Sequence, residues 1–149
     1  MSSPASFKGH PFHPMIIPLP IGLWIFSIIS DLIFKCGYGG AIWKDVAFYT
    51  LAGGIVGALI AALPGFVDLT GLTNPKTRTI AIWHMIINLA AVGLYCVNFW
   101  LRLHREPGDN LPIILSAIGV GLVIISGWLG AEMVYVRGVA VKQQPDQSM

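Results

Sequence analysis

The sequence predicts an all-α integral membrane protein, an up-down bundle of four helices, on two observations. The first is composition: 55% of the 149 residues are hydrophobic and only 11% are charged. A soluble domain carries roughly 25% charged residues, so lipid must cover much of this surface. The second is a set of four apolar segments, each close to the ~20 residues that cross a bilayer as an α-helix. Backbone groups in lipid must be satisfied within the segment, which helices achieve.

The four predicted helices are separated by short connections rich in turn residues. The helices cover about residues 15–34, 47–66, 80–101 and 111–136. Connections this short make successive helices antiparallel neighbours. The predicted organisation is an N-terminal segment with a His-Pro-Phe-His-Pro motif (1–14), a transmembrane domain (15–141) and a polar tail (142–149). We expect the first nine residues and the tail to be mobile.

Charge and cysteine content exclude several classes of protein. The net charge is only +2 and there is no run of basic residues, so nucleic acid is not an expected partner. Cys36 and Cys96 form no Cys-x-x-Cys pair, and we interpret them as free thiols. No nucleophile–base set, phosphate loop or dinucleotide motif argues for an enzyme. Membrane lipid is the partner that composition predicts, and a second copy of the chain could pack against the same apolar surface.

Antiparallel order places most polar groups of the predicted spans at one membrane face. We call side A the face that holds both termini and the second connection. At 1.5 Å per residue, the side A groups fall within a layer roughly 10 Å thick. They are His10, His13, Asp68, His84, Asn88, Glu132 and Tyr135. Ionisable groups in spans are expensive and normally face a bundle interior, so this layer is the candidate site.

Helical spacing predicts which of these side chains share a face. His84 and Asn88 are four residues apart, and Tyr95 continues their stripe. Asp31 closes a stripe on the first helix at the opposite face of the membrane, side B. His104 falls in a charged connection, where we expect it to be solvated.

Two ligand-binding hypotheses fit the side A residues. Imidazole and carboxylate suit a transition-metal ion, with His10, His13, His84, Glu132 and Asp68 as candidate ligands. Alternatively, haem b could take two axial histidines, His13 or His10 against His84, with the glycines of the second helix making room for a flat cofactor. Asn88, Tyr135 and Asp31 would be supporting residues in either case.

Two further hypotheses need no cofactor. The same groups could mark a proton or ion path, although the middles of the helices are almost purely apolar. They could also form a structural clasp, in which histidines and acids satisfy one another and pin the helix ends together. In that case the chain would be a non-catalytic structural or accessory membrane subunit.

Four motifs together resemble one family of small bacterial membrane proteins, catalogued as domain of unknown function family 2231. The motifs are Gly9-His10-Pro11-Phe12-His13-Pro14 leading into Pro18-Leu19-Pro20-Ile21-Gly22, Leu63-Pro64-Gly65-Phe66-Val67-Asp68, His84-Met85-Ile86-Ile87-Asn88, and Gly127-Trp128-Leu129-Gly130-Ala131-Glu132-Met133-Val134-Tyr135. The resemblance covers about residues 9–141. It implies a four-helix fold in the bacterial inner membrane and no established activity. Members are sometimes joined to Rieske-type or cytochrome-like domains, which implies redox work with a separate protein partner here.

Overall fold

The structure is a computed structural model that describes residues 3–104 and 109–141. It contains a short β-hairpin, five α-helices and a terminal π-helix. In chain order these are β1 (Ser6–Phe7), β2 (His10–Pro11), α1 (Phe12–Ile16), α2 (Pro18–Lys35), α3 (Ile42–Thr70), α4 (Pro75–His104), α5 (Leu111–Ala131) and the π-helix (Glu132–Val136). Four helical stretches are long and apolar enough to cross a membrane: Phe12–Lys35, Ile42–Thr70, Pro75–His104 and Leu111–Val136. The predicted all-α membrane bundle is confirmed.

The middle two helices are longer than the apolar segments that predicted them. Helix α3 begins at Ile42 and ends at Thr70, and α4 begins at Pro75. The apolar pattern marks only the part of a helix that crosses hydrocarbon, whereas hydrogen bonding continues the helix into the interface. Asn74 supports this extension of α4, since its Oδ1 accepts from the backbone N–H groups of Lys76 and Thr77.

The first span is broken near its start. Residue Ile17 separates α1 from α2. Pro18 and Pro20 have no backbone N–H, so the carbonyls of Pro14 and Ile16 lose their usual i+4 donors. The break leaves a short helical piece, α1, ahead of α2.

The N-terminal residues form a hairpin, where mobility was expected. Strands β1 and β2 pair antiparallel, with Phe7 opposite His10. The two-residue turn between them has Lys8 at φ 50° and Gly9 at φ 82°, the left-handed pair that suits a tight hairpin. Glycine at the second position makes this turn possible at little steric cost. The expected mobility of residues 142–149 concerns residues outside the described part of the chain.

The bundle centre is a stack of four residues, one from each spanning helix. The Trp24 and Tyr95 rings lie face to face, with centroids 4.1 Å apart and planes within 10°. Glycines flank the pair: a Cβ on Gly54 would lie 2.4 Å from the Trp24 ring, and one on Gly119 would lie 2.6 Å from the Tyr95 ring. The two glycines therefore let α3 and α5 close on the aromatic pair. This packing fills the middle of the bundle. The expectation that glycines of the second predicted helix make room for a flat cofactor is wrong for Gly54 and Gly57, because Trp24 and Pro20 fill the space beside them.

Candidate functional site

Two imidazoles from distant parts of the chain meet at side A. His13 lies on α1 and His84 lies two to three turns into α4. Their ring centroids are 6.2 Å apart and the rings are nearly perpendicular, at 88°. The two histidines are 71 positions apart in the sequence, and the antiparallel helix order brings them to one level. They form the centre of the candidate site.

Each imidazole is held through its Nδ1 atom by a backbone carbonyl of another helix. The His13 Nδ1 lies 2.8 Å from the carbonyl oxygen of Ala61 on α3. The His84 Nδ1 lies 2.8 Å from the carbonyl oxygen of Ser126 on α5, and 2.9 Å from the hydroxyl of the same serine. A carbonyl oxygen only accepts, so each Nδ1 carries the proton in these bonds. In a neutral imidazole the Nε2 atom is then an acceptor.

Among the residues that the structure describes, the Nε2 atom of His84 has one hydrogen-bond partner. The side-chain nitrogen of Asn88 lies 3.0 Å from it, and also donates to the His84 carbonyl oxygen at 2.9 Å. The predicted shared face of this pair is therefore a direct contact. Asn88 is the first group that any ligand of His84 Nε2 would have to displace.

Small residues make room for both rings. A Cβ on Gly65 would lie 2.9 Å from the His13 Nδ1, and one on Gly130 would lie 3.4 Å from the His84 ring. Any larger residue at position 65 would push His13 away from α3. The two motif glycines thus set how closely each imidazole approaches the neighbouring helix.

Asp68 binds the N-terminal segment instead of an imidazole. Its Oδ1 accepts hydrogen bonds from the Ser3 hydroxyl at 2.6 Å and from the Ala5 backbone N–H at 3.0 Å. The carboxylate thus holds residues 3–5 against the end of α3. Asp68 lies on side A as predicted, but its described contacts are with the chain that precedes β1.

The remaining side A candidates are paired elsewhere or exposed. Glu132 forms an ion pair with Arg137 at 3.2 Å across the π-helix. Tyr135 is 86% exposed, and His10 is exposed in β2. Within residues 3–104 and 109–141, no three His, Cys, Asp or Glu side chains group closely enough to hold a metal ion. The structure therefore brings together two of the five candidate metal ligands.

A second polar cluster, at side B, joins three helices. The guanidinium of Arg102 on α4 contacts both carboxylate oxygens of Asp31 on α2, at 2.9 and 2.5 Å. Its Nε donates to the Asn98 side-chain oxygen at 3.1 Å. Asn98 in turn donates to the Ser116 hydroxyl at 2.8 Å and to the Pro112 carbonyl at 2.9 Å. We call these residues the side B cluster.

From the sequence, Asp31 is only a supporting residue, and Arg102 follows the predicted end of the third helix at residue 101. Arg102 instead lies inside α4, with 10% of its side chain exposed, against 7% for Asp31. A signal for this arrangement was present. Asn98 and Arg102 follow Tyr95 at spacings of three and four, so they extend the face that begins at His84.

The described core therefore has polar residues near both membrane faces and an aromatic pair between them. Tyr95 donates its hydroxyl to the Ser116 carbonyl at 3.3 Å, and Trp24 donates Nε1–H to the Leu51 carbonyl at 3.3 Å. A proton or ion path between the two faces would have to pass this stacked pair. The site that the geometry offers is the one between His13 and His84.

Four helices that are long and apolar enough to span a bilayer define an integral, multi-pass membrane protein. The family model described as "Predicted membrane protein (DUF2231)" matches residues 9–143. The chain belongs to this family, as the motifs indicated. No curated protein and no solved structure matches the chain at a significant level.

Proposed function

We propose that the protein binds a haem iron, or a single transition-metal ion, between His13 and His84, as part of a redox system of the bacterial inner membrane. The observation that carries this proposal is the anchoring of both Nδ1 atoms to backbone carbonyls, at 2.8 Å each. Metal-bound histidines commonly donate their other ring N–H in this way, which fixes the tautomer and orients the ligating nitrogen.

The number of ligands favours haem over a lone ion. A structural metal ion usually takes four protein ligands and a catalytic one takes three. A haem iron needs only axial ligands, and histidine is a common one. A metal–nitrogen bond of about 2.0–2.1 Å places two nitrogens on one ion at most about 4.2 Å apart, and the two ring centres lie 6.2 Å apart.

Absorption and elemental analysis of detergent-purified protein test the proposal. We expect a Soret band, or a stoichiometric transition metal, that is lost in His13→Ala and His84→Ala. His104→Ala is the matched control, because that imidazole bonds its own helix at the Trp100 carbonyl and is exposed. Wild-type protein with neither signal after growth with haem precursor and metals would contradict the proposal.

A structural clasp is the second candidate, and the Asn88 contact favours it. Asn88 donates to the His84 Nε2 atom, so this imidazole can be satisfied without a ligand. His13 would then join α1 to α3, and His84 would join α4 to α5. The clasp predicts that His84→Ala destabilises ligand-free protein by about 1–3 kcal/mol, because Ser126 and Asn88 lose a partner. Haem binding predicts in addition that the stability difference between wild type and His84→Ala grows when haem is present, because haem stabilises only the protein that binds it.

A further inference from the structure

The N-terminal residues 3–13, which we call the strap, lie along one face of the last turns of α3. Three positions on α3 and the residue that follows it receive them: Ala61, Gly65, Asp68 and Gly71. The spacings of four, three and three residues put these positions on a single helical stripe. Two of the sequence motifs, the one with His10 and His13 and the one ending in Asp68, are therefore the two sides of one contact.

The contacts run antiparallel along this stripe. Pro4 packs on Gly71, where an added Cβ would lie 2.4 Å from the proline Cγ. Ser3 and Ala5 donate to the Asp68 carboxylate. His13, at the other end of the strap, donates to the Ala61 carbonyl. Asp68 is the only α3 side chain that hydrogen-bonds the strap among the described residues.

The strap is joined to the rest of the bundle by a weakened helix. Between α1 and α2, Pro18 and Pro20 lack the N–H groups that would bond the carbonyls of Pro14 and Ile16. Such interruptions are where helices bend. A bend at this interruption would leave α2 folded and would carry His13 away from His84.

From this geometry we propose that Asp68 is the latch of a movable strap, and that the strap sets whether His13 faces His84. Asp68 is thus a positioning residue that acts through His13. Charge-assisted hydrogen bonds from a hydroxyl and a backbone N–H hold the strap closed. The inference rests on the proposed function, because the closed strap matters for ligand binding only if His13 and His84 bind the ligand together. The contact between Asp68 and the strap can be measured in ligand-free protein.

Two readouts in full-length, ligand-free protein test the latch. A spin label on Ser6→Cys, in a Cys36→Ser/Cys96→Ser background, reports strap mobility. Carbethoxylation of His13 by diethyl pyrocarbonate, located by mass spectrometry, reports exposure of the ring. In Asp68→Leu we expect a mobile label and a His13 modification rate raised by about tenfold or more, since two hydrogen bonds to a charged acceptor are lost.

Matched variants separate the latch from a general loss of folding. Asp68→Asn keeps an acceptor oxygen in place and should hold the strap substantially closed. Gly71→Ala leaves Asp68 intact but displaces Pro4, and should release the strap. Asp45→Leu replaces an exposed carboxylate at the far end of α3 and should change neither readout.

The same two readouts can overturn the proposal. The proposal is overturned if Asp68→Leu and Gly71→Ala both leave the spin label as ordered as in the wild type and the His13 modification rate unchanged. A label that is already mobile in the wild type also overturns it. Absence of haem and metal from the wild type would contradict the proposed function. It would not change the outcome of the latch test, which uses ligand-free protein.

Discussion

Asp31 and Arg102 form a bidentate ion pair between α2 and α4, with nitrogen–oxygen distances of 2.9 and 2.5 Å. Both side chains are at most 10% exposed. A planar guanidinium matches a carboxylate in this geometry, and Asn98 and Ser116 satisfy further donors. A charge is costly in a membrane protein unless it is paired, so each residue depends on the other.

Removing one partner of this pair should therefore destabilise the fold strongly. We expect Arg102→Met to lower the free energy of unfolding by about 3–5 kcal/mol, because Asp31 is left buried and unpaired. The measurement is unfolding in mixed detergent micelles, followed by helical circular dichroism. The double variant Asp31→Leu/Arg102→Met should cost less than Arg102→Met alone, since it leaves no charge behind.

The more exposed ion pair Glu132–Arg137 is the control for this prediction. Its side chains are 30% and 29% exposed. An ion pair that solvent reaches contributes about 0–1 kcal/mol. Equal losses of unfolding free energy in Arg102→Met and Arg137→Met would contradict the distinction between a buried and a solvated pair.

The central stack should tolerate no added volume at its two glycines. In Gly54→Ala the new methyl group would lie 2.4 Å from the Trp24 ring. We expect a loss of about 1–3 kcal/mol in unfolding free energy from overpacking, and a similar loss for Gly119→Ala. Gly93→Ala is the matched control, because an added Cβ there meets nothing within 4 Å. Alanine favours helix over glycine, so the control should be neutral or stabilising.

The periodic part of this architecture was predictable from sequence. Antiparallel spans place His13, Asp68 and His84 at one level, and the spacing of four residues puts Asn88 beside His84. These relations depend only on chain direction and helix geometry, which the apolar pattern supplies. The all-α bundle followed from the same pattern.

The partners of these residues were harder to predict. His13 and His84 are bound by the carbonyls of Ala61 and Ser126, and backbone acceptors have no residue signature. Arg102 lies just beyond an apolar segment, where an arginine is normally solvated. Its burial depends on Asp31, 71 residues earlier in the chain. The helical spacing places Arg102 on the inward face of α4, but it does not identify Asp31 as the partner.

The two cysteines provide a test of membrane depth. Both side chains are exposed, but Cys96 lies within α4, eight residues and about 12 Å before its last residue, whereas Cys36 follows the end of α2. In liposomes made permeable to the reagent, a membrane-impermeant maleimide should label Cys36 and leave Cys96 unmodified, since lipid covers it. Both thiols should react after denaturation, which is the control. Equal labelling of the two in folded protein would contradict the assignment of α4 as a spanning helix.

Asn88 separates the two candidate functions most sharply. Its amide donates to the His84 Nε2 atom at 3.0 Å, the same atom that would bind iron or another metal. If the site takes such a ligand, Asn88→Ala removes a competitor and should raise the affinity by up to about tenfold, corresponding to one hydrogen bond that no longer has to be broken. If the residues form only a clasp, the same variant binds nothing and loses about 1 kcal/mol of stability. Titration of the apoprotein with haem, followed by absorption, distinguishes these outcomes. His84→Ala lacks the proposed ligand and therefore shows the absorption change expected without binding at this site. Weaker haem binding in Asn88→Ala than in the wild type would show that the amide supports the ligand instead of competing with it.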